Sequence, residues 1–209
     1  MDLYLFDFDK TLYRYDFRQR LPALAKSIGA SQYHLAKSWW AAGYEARAER
    51  GEWRTAAEYF DVWQKVTGVA LTVTQWREAR LKASTPIPGS IAALKRSATL
   101  GVASVFSNNP APFAEELPRL APDVVAIVGE NRLVSCELGA RKPEALAYRR
   151  ALEHFGVRPE DAFMADDSGT NVAAALEFGM HAFHFSEVHG EFQLDALNRA
   201  IDDFAGRRG

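Results

Sequence analysis

Two aspartates, Asp7 and Asp9, follow directly after the short apolar run Leu3–Phe6. A run of this length with no helical period predicts a buried strand, so both carboxylates would stand at its C-terminal end. Two carboxylates this close can share one site, but that is electrostatically unfavourable unless a cation lies between them. The pair therefore indicates either a cation-binding catalytic site or a surface turn in which Asp9 caps the next segment.

Three further groups of polar residues lie near predicted strand ends or helix starts. Ser107 and Asn108 follow an apolar run and could bind phosphate oxygens at the start of a helix. Lys142 could bring a positive charge to an anionic centre. Asp166 and Asp167 follow another apolar run, and paired carboxylates suit Mg²⁺. Each group taken alone also has an ordinary explanation, as a helix cap or a solvated surface charge.

Five short apolar runs predict the strands that would position these residues. The runs are Leu3–Phe6, Val102–Phe106, Val124–Val128, Ala162–Ala165 and Ala182–Phe185. Amphipathic helical patterns separate them, and this alternation favours an α/β fold with a parallel sheet covered by helices on both faces. Such sheets bind ligands beyond the C-terminal ends of their strands, where the polar groups are expected to lie.

Residues 13–88 differ in composition from the rest of the chain. They hold 12 Lys and Arg against 7 Asp and Glu, together with all five tryptophans. The periodic segments within them are helical, and we expect about four helices. The predicted helix caps are Ser31 and Thr74 at N-termini and Gly29, Gly43 and Gly68 at C-termini. The composition predicts a helical domain at 13–88, inserted in a core made of residues 1–12 and 89–209.

Overall composition limits the partners and the compartment. The 209 residues carry a formal charge of −2, which gives no reason to expect binding to nucleic acid or to an anionic membrane. Cys136 is the single cysteine, so an intrachain disulfide and a cysteine-built metal site are excluded. Residues 1–4 carry no basic signal region, and no apolar run approaches the length of a membrane span. We expect a cytoplasmic protein, either monomer or homodimer.

Taken together, the motifs resemble those of the haloacid dehalogenase superfamily. The residues that carry the resemblance are Asp7-x-Asp9-x-Thr11, Ser107, Lys142-Pro143 and Asp166-Asp167-Ser168-x-x-Asn171. The resemblance covers nearly all of the chain outside 13–88. It implies a Rossmann-like, doubly wound parallel sheet with a helical cap inserted after the first motif. Glu49–Glu52 and the segment after Ser107 are similar to bacterial members that dephosphorylate hexose phosphates.

The resemblance also implies catalytic roles. Asp7 would be the nucleophile that becomes an aspartyl-phosphate, and Asp9 would be the general acid and base. Ser107, together with Asn108, would hydrogen-bond the transferring phosphoryl group, and Lys142 would neutralise its charge. In the insert, Tyr13, Arg14 and Arg18 are candidate substrate residues.

A magnesium ion is implied by the same resemblance. It would be held by Asp7, by the backbone carbonyl of Asp9 and by Asp167, with Asp166 a direct or water-mediated ligand. Many members have Gly-Asp in the fourth motif and another Asp four residues later, whereas this chain has Asp166-Asp167 and Asn171. Lys10 also replaces the small residue that often follows the second aspartate.

We therefore expect a Mg²⁺-dependent phosphatase for a small phosphorylated metabolite, either a sugar phosphate or a nucleotide. A phosphomutase would use the same motifs and remains open. A 2-haloacid dehalogenase is less consistent with the sequence, because its chemistry needs no Mg²⁺ and such enzymes generally lack the second aspartate. A binding scaffold is also less consistent, because it needs no nucleophile such as Asp7.

Overall fold

The computed structural model describes residues 1–207, and its centre is a five-stranded parallel sheet. The strands in chain order are β1 Leu3–Phe6, β2 Tyr13–Tyr15, β3 Ser84–Pro86, β4 Val102–Ser107, β5 Arg132–Val134, β6 Ala162–Asp166, β7 His181–His184, β8 Glu187–Val188 and β9 Glu191–Phe192. The sheet has the order β5-β4-β1-β6-β7, and every neighbouring pair in it is parallel. The predicted α/β, Rossmann-like fold is confirmed.

Helices connect the strands and form most of the insert. They are α1 Phe17–Ile28, α2 Gln32–Leu35, α3 Tyr44–Glu49, α4 Ala56–Thr67, α5 Val73–Ala83, α6 Pro88–Leu100, α7 Ala111–Leu120, α8 Pro122–Val128, α9 Ser135–Leu138, α10 Ala145–Phe155, α11 Gly169–Glu177 and α12 Leu194–Gly206. None of the helices found in residues 1–207 has the length and apolar character needed to cross a bilayer.

Successive residues of β1 pack on opposite faces of the sheet, as strand geometry requires. Tyr4 and Phe6 belong to a hydrophobic cluster on one face, and Leu3 and Leu5 belong to a cluster on the other. All four side chains are fully buried, because β1 lies at the centre of the sheet. This explains why the run reads as continuously apolar, and it places the end of β1 in the middle of the sheet edge.

The prediction of a strand at Val124–Val128 is wrong, because this run lies in helix α8. Pro122 begins the helix, where its fixed φ and missing N–H are tolerated. The buried residues are Val124 and Val128, which are four positions apart and therefore share one helical face. The fifth strand of the sheet is instead the three-residue β5.

The helical part of the chain expected at residues 13–88, called the insert below, is bounded in the structure by two paired strands. β2 and β3 are antiparallel, with Tyr13 opposite Pro86 and Tyr15 opposite Ser84. Between them the chain forms α1 to α5 and one π-helical segment, Ala36–Trp40. The two ends of the insert are thus hydrogen-bonded to each other close to the first aspartate motif.

The cap predictions within the insert are partly correct. Ser31 caps α2 and Gly68 ends α4, as the sequence predicts. Thr74 is not a cap, because the N-cap of α5 is Thr72, whose hydroxyl and Gln75 form a capping box. The predicted helix from Ser31 to Gly43 contains the π-helical segment, which buries Trp39 fully and leaves Trp40 half-buried. Helix α3 is an additional element that follows Gly43.

The insert packs directly on the core through apolar and charged contacts. Trp39, Trp63 and Phe113 belong to the same hydrophobic cluster, which continues to one face of the sheet. Among the described residues, four arginines of the insert form ion pairs with carboxylates of the core: Arg14 with Glu187, Arg50 with Glu144, Arg77 with Glu116 and Arg80 with Asp9. Part of the basic charge of the insert is therefore used to hold it against the acidic core.

Candidate active site

Asp7 lies at the C-terminal end of the central strand β1. Its backbone N–H donates to the carbonyl of Ala165 at 2.9 Å, which extends the β1–β6 pairing by one residue. Its side chain is buried and accepts a hydrogen bond from Nζ of Lys142 at 2.8 Å. The carboxylate is thus held at the sheet edge where parallel sheets bind ligands.

Asp9 occupies a tight turn that returns the chain into β2. The carbonyl of Phe8 accepts hydrogen bonds from the N–H groups of Leu12 and Tyr13, which closes the turn. The carboxylate of Asp9 accepts hydrogen bonds from Nη2 of Arg80 at 2.5 and 2.6 Å. The side chain of Asp9 thus contacts the insert, and it is not one of the three carboxylates, Asp7, Asp166 and Asp167, whose oxygens converge.

Lys10 is the residue at which the first motif departs from the small residue that often follows the second aspartate. Its φ is 62°, in the left-handed region that glycine adopts without strain. Glycine at this position would relieve the backbone, whereas Lys10 brings its ammonium to 3.9 Å from Asp167. The turn therefore carries a cation on the solvent side of the carboxylates.

The end of β4 supplies a group of polar side chains beside Asp9. Ser107 is buried, and its hydroxyl accepts a hydrogen bond from Nδ2 of Asn109 at 3.0 Å. The same Nδ2 lies 3.3 Å from Asp9 Oδ2. Asn108, expected to contact the phosphoryl group, instead binds the backbone of Lys142, with its amide accepting from the N–H at 2.9 Å and donating to the carbonyl at 2.8 Å. Its observed role is to position Lys142.

Lys142 is a buried cation between two carboxylates. Its Nζ donates to Asp7 at 2.8 Å, to Asp166 at 2.5 Å and to the carbonyl of Phe106 at 2.6 Å. Burial alone lowers the pKa of Lys142, but the adjacent Asp166 and Asp7 outweigh burial and raise it. The ammonium is therefore charged at neutral pH.

Three carboxylates converge on one point of the sheet edge. Asp7, Asp166 and Asp167 each offer an oxygen, and these oxygens lie within 4.8 Å of one another. Asp166 is fully buried and accepts from the Ser168 N–H and from Nδ2 of Asn171, which fixes its orientation. A cluster of hard oxygen ligands at this spacing fits Mg²⁺.

The electrostatics of this cluster favour a bound cation. Burial raises the pKa of Asp7 to about 8 against the opposing effect of Lys142, and Asp166 adds to the rise. Burial is also the main cause that raises the pKa of Asp167, and the negative charge of Asp166 adds to it. A divalent cation at this site would therefore stabilise the ionised form of both carboxylates.

The candidate substrate residues lie in different places. Tyr13 is buried, with its ring stacked on Phe8 and its hydroxyl donating to Asp123 at 2.5 Å, so its contacts are structural. Arg14 and Arg18 line an open groove of about 820 Å³ that also includes Lys10 and Asp167.

A second, smaller cavity lies between the insert and the core on the side of Asp9. It has a volume of about 250 Å³. The lining residues are Asp9, Tyr15, Phe17, Arg20, Trp40, Glu45, Glu49, Arg80, Asn108 and Asn109. Burial raises the pKa of Glu49 to about 7, and the charge of Arg141 opposes this rise.

Sequence reasoning missed the insert residues that reach this region. Arg20, Glu49 and Arg80 lie on amphipathic helices, where a charged residue is ordinarily solvated. Arg20 and Arg80 are instead almost fully buried. The excess of basic residues in the insert was the one available signal, and it did not single out any of them.

Comparison with known proteins identifies the family. The model of the haloacid dehalogenase-like hydrolases matches residues 1–179. The chain belongs to this family. The four motifs that suggested the resemblance all lie within the matched residues.

Two curated relatives of this haloacid dehalogenase-like hydrolase match parts of it. Flavin mononucleotide hydrolase 1 of Arabidopsis thaliana is 43% identical over 69 residues, which cover 33% of this chain and 26% of that protein. Phosphoglycolate phosphatase of Rhodospirillum rubrum is 30% identical over 149 residues, which cover 64% of this chain and 60% of that protein. The chain spans less than two thirds of the length of each.

Solved structures share the fold along most of the chain. A predicted HAD-like family hydrolase from Porphyromonas gingivalis has a TM-score of 0.77 at 21% identity, covering 95% of this chain and 97% of that one. A HAD family enzyme from Bacteroides thetaiotaomicron, solved in complex with magnesium and inorganic phosphate, has a TM-score of 0.70 at 19% identity, with 91% and 96% covered. The similarity extends through the insert, because it covers nearly the whole length.

Proposed function

We propose that this hydrolase is a Mg²⁺-dependent phosphatase that hydrolyses a small phosphomonoester, a sugar phosphate or a nucleotide, through an aspartyl-phosphate intermediate. The observation that carries the proposal is the juxtaposition of a three-carboxylate cluster with Lys142, beside Asp9. An anionic nucleophile can approach an anionic phosphate only where cations cancel the repulsion. This site has one such cation built in and a ligand set for another.

In the first step, a carboxylate oxygen of Asp7 attacks phosphorus and forms the acyl phosphate. The bond from phosphorus to the ester oxygen breaks, and that oxygen takes a proton from Asp9 as it leaves. Lys142 neutralises charge beside Asp7, and the hydroxyl of Ser107 is available to hydrogen-bond a phosphoryl oxygen. The alcohol then departs on the side of the insert.

In the second step, water attacks phosphorus of the aspartyl-phosphate. Asp9 takes a proton from this water, the bond between phosphorus and the Asp7 oxygen breaks, and inorganic phosphate forms. Asp7 returns to its carboxylate form and Asp9 to its acid form, so the cycle closes without another reactant.

Mg²⁺ would be held by Asp7, Asp166 and Asp167 with the backbone carbonyl of Asp9, and would stabilise negative charge on the phosphoryl oxygens. We assign Asp166 a second function as well. Its contact with Lys142 orients the ammonium group, and its contacts with Ser168 and Asn171 orient the start of α11. Residues 13–88 would act as the cap that closes over the substrate.

The relatives support this assignment. Their names are those of phosphomonoester hydrolases, one acting on phosphoglycolate and one on flavin mononucleotide. The Bacteroides enzyme of the same fold binds magnesium and inorganic phosphate.

The direct test is phosphate release from a panel of phosphomonoesters, with and without Mg²⁺, for the wild type and Asp7→Asn. We expect Mg²⁺-dependent release by the wild type and a loss of at least about 10⁴-fold in Asp7→Asn. Release that Asp7→Asn leaves undiminished, or no release from any substrate, would overturn the proposal. Phosphorus NMR on a sugar phosphate would separate hydrolysis from isomerisation.

A further inference from the structure

Asn109 is a buried amide that lies between two groups of the proposed mechanism. It is only 4% exposed, and it stands in the loop between β4 and α7. Its Nδ2 lies 3.0 Å from the hydroxyl oxygen of Ser107 and 3.3 Å from Oδ2 of Asp9. Both contacts come from one nitrogen. A single side chain therefore links the hydroxyl that would bind the phosphoryl group to the proposed acid and base.

The carboxylate of Asp9 determines which end of the Asn109 amide faces it. Asp9 forms an ion pair with Arg80, and a carboxylate in an ion pair has only acceptor atoms. The amide must therefore turn its NH2 group toward Asp9, because its oxygen would face another acceptor. One hydrogen of this NH2 group then serves Asp9, and the other serves Ser107.

The hydrogen bonds at Asp9 make its two oxygens unequal. Oδ2 accepts from both Arg80 and Asn109, whereas Oδ1 accepts from Arg80 alone among the residues that the structure describes. Each carboxylate oxygen has room for about two hydrogen bonds. Oδ1 is thus the oxygen with a position left for a proton. Arg80 contacts both oxygens and cannot select between them, so the selection depends on Asn109.

The same amide sets the direction of the Ser107 hydroxyl. A hydroxyl donates one hydrogen bond, and the oxygen of Ser107 already accepts the bond from Asn109. The proton of Ser107 must therefore point away from the NH2 group. Within residues 1–207 it has no acceptor, so it is available to an oxygen of a bound phosphoryl group.

Ser135 holds the backbone of Asn109 in place. The N–H of Asn109 donates to the Ser135 hydroxyl at 3.1 Å, and this hydroxyl donates to the carbonyl of Asn109 at 3.3 Å. Ser135 is fully buried at the start of α9. Both bonds involve the backbone of Asn109, so they remain possible when its side chain is changed.

We propose that Asn109 is a positioning residue that orients Asp9 and Ser107 together. It leaves Oδ1 of Asp9 as the oxygen that carries the transferred proton, and it directs the Ser107 hydroxyl to donate to a phosphoryl oxygen. The inference rests on the proposed phosphatase function and deepens it. Asn109 itself does not contact the reacting atoms, because both hydrogens of its NH2 group are used within the protein.

The first test compares a leaving group that needs a proton with one that does not. An alcohol leaves as an alkoxide unless Asp9 protonates it, whereas acetyl phosphate releases a carboxylate that is stable without a proton. The readout is kcat/KM with Mg²⁺ for the fastest alkyl phosphate of the panel, divided by kcat/KM for acetyl phosphate. Asn109→Leu should lower this ratio by about tenfold or more, because general acid catalysis contributes about 10²- to 10⁴-fold. A defect of folding alone would lower both constants alike.

Two further variants complete this comparison. Asn109→Asp keeps the shape of the side chain but places an acceptor against Asp9, so it should lower the ratio at least as much. Asn131→Leu is the matched control, because Asn131 is exposed and lies just before β5. Its ratio should equal that of the wild type.

The second test measures the effect on Ser107, with inorganic phosphate as a competitive inhibitor of acetyl phosphate hydrolysis. Asn109→Leu should raise the inhibition constant by about fivefold, because the Ser107 proton is no longer directed at the phosphate. Ser107→Ala has no hydroxyl to direct. Adding Asn109→Leu to Ser107→Ala should therefore change the inhibition constant by less than about twofold.

Three outcomes separate this inference from the proposed function. Unchanged ratios in both Asn109 variants, or fully additive effects of Asn109→Leu and Ser107→Ala, would overturn the positioning role. If the Asn109 variants fail to fold, Ser135→Ala releases the same backbone and should lower the ratio by about threefold; an unchanged ratio there would also overturn it. Acetyl phosphate hydrolysis that Asp7→Asn leaves undiminished would instead refute the proposed function.

Discussion

Nη2 of Arg80, on helix α5 of the insert, lies 2.5 Å and 2.6 Å from the two carboxylate oxygens of Asp9, the proposed acid and base. The two residues are 71 positions apart in the chain. Arg80 is itself held under Tyr15 and Phe113, with its guanidinium 4.4 and 5.1 Å from the ring centres. The docking of the insert thus fixes the orientation of a proposed catalytic carboxylate.

Arg80→Met should lower kcat by about 100-fold with Mg²⁺ and saturating substrate, because Asp9 loses the contact that orients it. Steady-state kinetics on the best substrate from the panel would measure this. The control is Arg77→Met on the same helix, whose partner Glu116 keeps a second contact with Arg119 at 3.1 Å. Arg77→Met should retain activity within about twofold of the wild type. Equal losses in both variants would show a general effect on insert docking.

Lys142→Met should destabilise the metal-free protein by about 3 to 5 kcal/mol, because it leaves Asp7 and Asp166 buried without their cation. Urea unfolding in EDTA would measure the free energy of unfolding. Adding Asp166→Asn to this variant should recover part of the loss. Lys82→Met changes an exposed lysine and should stay within about 0.5 kcal/mol of the wild type. A single Lys142→Met variant as stable as the wild type would contradict this electrostatic role.

Mg²⁺ should bind more tightly as the pH rises from 6 to 8. Burial raises the pKa of Asp7 from 3.8 to about 8. Between about pH 4 and pH 8, the Asp7 carboxyl is therefore protonated in the folded, metal-free protein and ionised in the unfolded chain. The stability due to this proton is fully present below pH 4 and is lost as the pH rises through about 8. Mg²⁺ must displace the same proton, which gives up to about a tenfold gain in affinity per pH unit.

Isothermal titration calorimetry at pH 6, 7 and 8 would measure this affinity. Titrations in two buffers of different ionisation enthalpy should show release of about one proton per Mg²⁺ at pH 6. Asp7→Asn has no proton to displace at this position and should release fewer. A dissociation constant that stays flat between pH 6 and pH 8 would contradict the prediction.

Gly51→Ala should loosen the insert from the core. A Cβ at Gly51 would lie 2.1 Å from the carbonyl oxygen of Cys136, and φ is +74°. Gly68 has a φ of +72° but nothing within 4 Å of its added Cβ, so Gly68→Ala carries the backbone strain without the clash. We expect about 1 kcal/mol of destabilisation for Gly68→Ala and clearly more for Gly51→Ala. All five tryptophans lie in the insert, so their fluorescence during urea unfolding reports on it.

Much of the scaffold could be predicted from local sequence. β1 was predicted at its observed bounds, and β4 and β6 to within one residue, because a strand buried on both faces reads as a continuous apolar run. The prediction of a strand at Val124–Val128 failed because a short apolar run is equally compatible with a buried helix face. Local capping signals identified Ser31 but misplaced the start of α5, since Thr72 and Thr74 both resemble caps.

The sequence by itself determined which carboxylates and hydroxyls stand at the strand ends, and that Lys142 stands shortly before a helix. The parallel sheet brings those strand ends together. Only the tertiary structure decided which of them meet. Lys142 reaches both Asp7 and Asp166 because Asn108 holds its backbone. Arg20 and Arg80 become buried because the helices that carry them dock on the core. Pairing between residues this far apart depends on packing of whole elements, which no local pattern encodes.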